Sequence, residues 1–223
     1  MIKKMTQYLL QRRCALSLLL ILMLLHPAVA QAQTRQMYAR LDKETQTLTL
    51  YYGTNYQESD YEISNLIARP LWKTSAERRE IKTVVFDESF KDARPKYCET
   101  WFWCFEALTT IEHLDYLNTS EVDDMHSMFS NCTSLETLDL SSFNTEKVTS
   151  MATMFEKSKN LRSIKLPKGF IGSSVTNLYA MFRGCESLTE LDLSSSNAEK
   201  VTNMMEMFSD CNALSILLSL IHI

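Results

Sequence analysis

Few residues in this chain have both the type and the spacing to do chemistry. His113 and His126 lie among Glu112, Asp115, Asp123 and Asp124, a mixture that could hold a metal ion or move a proton. No HExxH, GxSxG or paired-cysteine spacing accompanies them, and two histidines in an acidic stretch more often form a solvated surface. The sequence therefore assigns no catalytic, cofactor-binding or metal-ligating residue, and the chain is expected to be neither an enzyme nor a cofactor carrier. Only four glycines occur, which excludes glycine-rich calcium-binding rolls. Contact residues for a binding partner cannot be named from the sequence.

The six cysteines, Cys14, Cys98, Cys104, Cys132, Cys185 and Cys211, are the other reactive set. Cys132, Cys185 and Cys211 recur at equivalent positions of a repeated phrase, where a buried cysteine acts as a small hydrophobe. Cys132 and Cys185 are separated by a repeat that carries Ser158, which places them roughly 10 Å apart and beyond bridging distance. Cys185 and Cys211 sit on adjacent repeats and are close enough, yet both point inward. Cys98 and Cys104 are the better pair for an exported protein, and whether they are bridged stays open.

These residues must be positioned by a repeat. Met128-Phe129, Met154-Phe155, Met181-Phe182 and Met207-Phe208 recur with phenylalanines 26, 27 and 26 residues apart, and a fixed period in the twenties means units that cannot bury their apolar faces alone. Val122, Val148, Val175 and Val201 stand seven residues before each phenylalanine, and Met125, Met151, Leu178 and Met204 stand four before it. That spacing of 3, 3 and 1 fits one face of a short helix of about two turns. Asn131, Gly184 and Asp210 follow as residues that tolerate the left-handed conformation ending a helix, with Lys157 as the exception. The period then switches to two at Leu138 and Leu140, Ile164 and Leu166, and Leu191 and Leu193, as in short strands. The outward residues Asp139, Lys165 and Asp192 are expected to pair across neighbouring strands. The fold class read from these periods is an α/β repeat solenoid: a right-handed stack of short parallel strands and short helices behind a β-rich N-terminal cap.

Lys3, Lys4, Arg12 and Arg13 precede an apolar run from Cys14 to Leu25, and Ala28-Val-Ala30 or Ala30-Gln-Ala32 offers small residues for cleavage. The run is too short for a membrane-spanning helix, which needs about 20 apolar residues, so it reads as a signal peptide. Its first 32 residues carry four basic and no acidic side chains, leaving 19 basic against 27 acidic and a net charge of −8. That balance argues against nucleic acid as a partner. No membrane span is expected after signal removal.

The expected organisation is a signal peptide at 1–32, a β-rich capping region at 33–101, the repeats at 102–214 (about four units and the start of a fifth), and an irregular apolar tail at 215–223. Within the second region, Tyr38 to Leu41, a polar "DKET" turn and Leu48 to Tyr52 read as a hairpin, Thr54 to Glu80 as a long loop around Pro70 and Trp72, and Ile81 to Phe86 as a strand. The first repeat, near Phe102, has Phe105 in the cysteine position and an extra residue near His113, while the third carries a "PKGFIGSS" loop at Pro167 to Ser174. After Leu214 the pattern gives way to an apolar tail without a polar cap, read as truncation and as a surface for self-association. Asn118 and Asn131 begin glycosylation sequons that matter only in a eukaryotic host.

The phrases "MFSNCTSLETLDLSSFNTEKVTSMATMF" and "MFRGCESLTELDLSSSNAEKVTNMMEMF" resemble the repeats of BspA-like leucine-rich-repeat surface proteins, and "VVFDESFKDARPKYCETWFWCFEALTTIEHLDYLNTSEVDDMHSMF" resembles that family's entry segment. The resemblance covers roughly residues 81 to 214. It implies a secreted or cell-surface protein of bacteria or some protists that binds extracellular proteins, such as host matrix proteins, or other cells. It supplies no contact residues. A surface-layer or spacer protein without a ligand of its own is the alternative.

Overall fold

The computed structural model describes residues 34–63 and 75–219. The leader at 1–32, the loop centre at Pro70 and Trp72, and the end of the apolar tail lie outside the described residues.

The first described elements are the hairpin that the alternation predicts. Strand β1 (Gln36–Asp42) runs antiparallel to β2 (Thr47–Gly53), with Leu41 opposite Leu48. Asp42 turns the chain by accepting hydrogen bonds from the amides of Glu44 and Thr45, 2.9 and 3.3 Å long. Strand β3 (Tyr61–Ile63) pairs with β1, β4 (Thr83–Phe86) runs parallel to β2, and β5 (Thr110–Glu112) runs parallel to β4, giving the order β3-β1-β2-β4-β5. Met37, Ala39, Leu48, Leu50, Val84 and Phe86 are buried on it. Part of the segment expected as loop is a short helix, α1 (Ser75–Glu80).

The repeats hold no α-helix, and this overturns the expected α/β repeat solenoid with its stack of strands and helices. Among the described residues α1 is the one α-helix, and the strands fall into small sheets: the mixed five-stranded sheet and two parallel pairs, β6 (Thr137–Asp139) with β7 (Ser163–Lys165) and β8 (Glu190–Leu193) with β9 (Ile216–Ser219). The reason lies in where the amides go. Met128, Ser130 and Cys132 donate to the carbonyls of Met125, Ser127 and Phe129, closing three-residue turns within the repeat. The alternate amides of Met125, Ser127, Phe129 and Asn131 donate to Ser150, Ala152, Met154 and Glu156 of the next repeat at 2.8–3.0 Å. A helix needs every one of these amides for its own i−4 carbonyls. Turns that close at three residues also bring residues three apart to one side, so the 3, 3, 1 pattern suits them equally well.

The same bonding forces left-handed backbone twice per repeat: Ser127 and Asn131, Thr153 and Lys157, Ala180 and Gly184, Glu206 and Asp210, with φ between 50° and 72°. Lys157, the exception in the sequence pattern, conforms in structure. Each non-glycine residue held there costs about 1–2 kcal/mol, which the inter-repeat bonds and the core must outweigh. At the centre, Phe102, Phe129, Phe155, Phe182 and Phe208 stack ring on ring with centroids 5.3, 5.9, 5.2 and 5.7 Å apart. The first four are fully buried.

Candidate binding groove

A groove opens where the strands of the first two repeats fail to pair. Every strand is centred nine residues after its phenylalanine, at Ile111, Leu138, Ile164, Leu191 and Leu217. The next valine follows the phenylalanine by 20 residues in the first and third repeats but 19 in the second and fourth. The extra residue falls after the strand, and the sheet is interrupted there: β5 does not pair with β6, nor β7 with β8, whereas β6–β7 and β8–β9 are joined. In the first repeat the added residue is His113, itself left-handed at φ 56° and followed by a 3-10 turn over Leu114–Tyr116. This acts as a bulge does, re-aiming the chain and ending the pairing.

The opening between β5 and β6 is a cavity of about 610 Å³ lined by Thr110, Ile111, His113, Asp115, Thr137 and Asp139 among others. A neighbouring hollow of about 350 Å³ shares Asp115 and Ser142 with it and extends to Tyr116 and Asn118. The His113 imidazole stacks on Tyr116, centroids 4.8 Å apart and 9° from parallel, and the Lys91 ammonium lies 4.0 Å from the Tyr116 ring centre. In the third repeat the corresponding insertion buries Phe170 and Ile171. Gly172 there lets the chain approach the second repeat, since a Cβ would stand 2.9 Å from the Thr145 carbonyl.

The acidic and histidine residues singled out in the sequence are divided by the fold. His113, Asp115 and Glu112 lie exposed at or beside the groove. His126, Asp123 and Asp124 lie half-buried on the turn side, where the His126 amide donates to the Asp124 carboxylate at 2.7 Å. Burial raises the Asp124 pKa, and that hydrogen bond opposes the rise. Among the described residues no group of three or more His, Cys, Asp or Glu side chains could hold a metal ion.

The outward columns carry charge pairs, partly as expected. Lys165 Nζ lies 3.0 Å from Asp139, Arg162 lies 3.4 Å from Glu136, and Lys159 lies 2.9 Å from Glu186. Asp192 instead accepts the Ser194 amide at 2.9 Å, across the interruption from Lys165. The Asp139 pKa is lowered to about 2, chiefly by the Ser141 hydroxyl and amide, with Lys165 adding to the effect. Arg183 joins Glu156 and Glu206 across three repeats.

Cys98, Cys104, Cys132, Cys185 and Cys211 are free thiols, so neither candidate pair is bridged. Their column has a role the sequence did not reveal. The thiols of Cys132, Cys185 and Cys211 donate to the carbonyls of Phe102, Phe155 and Phe182 at 3.2, 3.2 and 3.0 Å, and the Ser158 hydroxyl does the same to Phe129 at 2.7 Å. A small donor at this position adds a second hydrogen bond to a carbonyl that already accepts the turn-closing amide. Burial pushes the Cys98, Cys132 and Cys185 thiols well up, which keeps them protonated and inert.

Among known proteins, the family model described as "Mycoplasma protein of unknown function, DUF285" matches residues 99–219, more than half of the chain. The chain belongs to the DUF285 family. Both walls of the groove, β5 and β6, fall within the DUF285 stretch, and β1 to β4 precede it. No curated protein matches the sequence. Two solved structures are loosely similar: a leucine-rich repeat protein from Bacteroides ovatus, at 16% identity and TM-score 0.39 over 82% of this chain and 51% of that one, and a leucine rich cell surface protein from Faecalibacterium prausnitzii, at 19% identity and TM-score 0.35 over 81% of this chain and 52% of that one. The DUF285 chain spans about half the length of each. Among its described residues no helix is long and apolar enough to cross a membrane.

The groove itself escaped the sequence reading. Its signal was present, as the one-residue difference between 20 and 19 that marks the first and third repeats.

Proposed function

We propose that this DUF285 protein is a BspA-like cell-surface repeat protein that binds an extracellular protein in the manner of an adhesin, without catalysis. The observation that carries the reading is the open groove between β5 and β6, a polar opening of binding-site size at one of the two places where the strands of neighbouring repeats do not pair. The export signal in the sequence and the repeat phrase support it. Residues 33–223 immobilised on a surface should retain a matrix protein such as fibronectin or fibrinogen, less strongly as salt is added. Retention no better than that of an unrelated acidic protein, across several matrix proteins and host cells, would end this reading.

The spacer alternative draws on a different observation: the outward columns are largely neutralised by their own cross-repeat ion pairs, leaving little free charge for a partner. Self-association is the further partner proposed. Ile216 and Leu218 are 50% and 53% exposed on β9, where the inner strands carry polar residues. Replacing Ile216 by Lys and Leu218 by Glu should lower the apparent mass in light scattering; an unmodified chain that is already monomeric would remove self-association.

A further inference from the structure

Strands β5 and β6 turn unpaired backbone toward one another. Along β6 the Leu140 amide donates to Lys165 and the Glu136 carbonyl accepts from Arg162 and Ser163, so these residues face β7. By the alternation of a parallel ladder, the amides and carbonyls of Thr137 and Asp139 face the other way, into the groove. On the opposite wall Thr109 and Thr110 donate to Lys82 beside β4, which leaves the groups of Ile111 directed at β6. Backbone edges of this kind are templates for another strand.

We propose that this gap takes a short extended segment of a partner polypeptide, which enters as an inserted strand and bonds to β5 on one side and β6 on the other. The inference rests on the protein-binding reading above and names the partner's chemistry. The cavity of about 610 Å³ has the size of a ligand site. The edge above it carries Glu112 and Asp115, which are exposed and form no ion pair among the described residues, so the segment is basic and β-forming. His113 is the device that holds the gap open, because its added residue prevents β5 from reaching β6. The equivalent break after β7 has the same one-residue insertion but turns Phe170 and Ile171 into the core there, which makes it less suited.

The test uses the full chain and the hexapeptide Thr-Val-Lys-Val-Lys-Thr, followed by amide hydrogen exchange. The peptide should slow exchange at Ile111, Thr137 and Asp139 by at least tenfold, and the same peptide N-methylated at alternate residues should not. Deleting His113 restores the shorter spacing, and it should protect these amides without peptide and abolish peptide binding. Should that deletion fail to fold, Glu112→Lys with Asp115→Lys should weaken peptide binding about tenfold while exchange in the free protein stays as before. Equal binding of the N-methylated peptide, or protection confined to amides elsewhere, would overturn strand insertion. Either result leaves matrix-protein retention to stand or fall on its own assay.

Discussion

The two sides of each repeat respond differently to one added residue. On the turn side, hydrogen bonds pass from every repeat to the next at 2.7–3.0 Å, from Phe102 to Met128, Phe129 to Met154, Phe155 to Met181 and Phe182 to Met207, whichever spacing separates them. On the strand side the sheet survives only across the shorter repeats. The difference shows where the array is determined: the phenylalanine column sets the rise between repeats, and the strands pair only where the remaining chain length allows. An insertion placed after the strand leaves the core intact and opens the surface, as expected where loops carry function on a rigid scaffold.

The sharpest way to break this contrast is to remove a ring from the turn side. Phe155→Ala or Phe182→Ala should destabilise by about 3–5 kcal/mol in denaturant unfolding, because each ring is fully buried between two others. A loss of under about 1 kcal/mol would mean that the strands carry the array after all.

A smaller effect is expected from the donor column. Ser158 is fully buried and both donates to the Phe129 carbonyl and accepts the Cys132 amide. Ser158→Ala should cost about 0.5–1.5 kcal/mol by removing both hydroxyl bonds while the Cys132 amide keeps its turn bond to the Phe129 carbonyl, and Ser158→Cys, which restores the donor found in the neighbouring repeats, should recover part of it. Equal melting temperatures for the two variants would remove the role given to the column. The thiols give a separate check: in the native protein Cys132 and Cys185 should resist alkylation while the half-exposed Cys104 reacts first.

The strand side should give least. Lys165→Ala should cost less than about 1 kcal/mol, since both partners of its ion pair are more than half exposed. Asp139, whose pKa is held at about 2 rather than 3.8, contributes stability that is present above the ordinary carboxylate range and lost as pH falls toward 2. Asp139→Asn should therefore flatten a shallow acid limb of the stability profile, losing less than about 1 kcal/mol at neutral pH and nothing near pH 2. A large loss at neutral pH would mean that these exposed columns do more than decorate the repeats.

Much of the molecule was legible in the sequence for a simple reason: burial depends on which residues are apolar and how far apart they fall. The recurring Val, Met, Phe and Leu positions identified the buried side chains, the alternation in Tyr38–Leu41 and Leu48–Tyr52 identified a hairpin, and Asp139 pairs with Lys165 as the column predicted. The backbone of the repeats was not legible. Whether the amides of Met125, Ser127, Phe129 and Asn131 close a helix or bond to the next repeat depends on a neighbour supplying carbonyls at the right height, and local spacing carries no trace of that competition. The left-handed backbone at Lys157 is imposed by the same neighbours. The groove stands between the two cases, since its extra residue is written at His113, but only the packing of the first repeat against the second turned that residue into an opening.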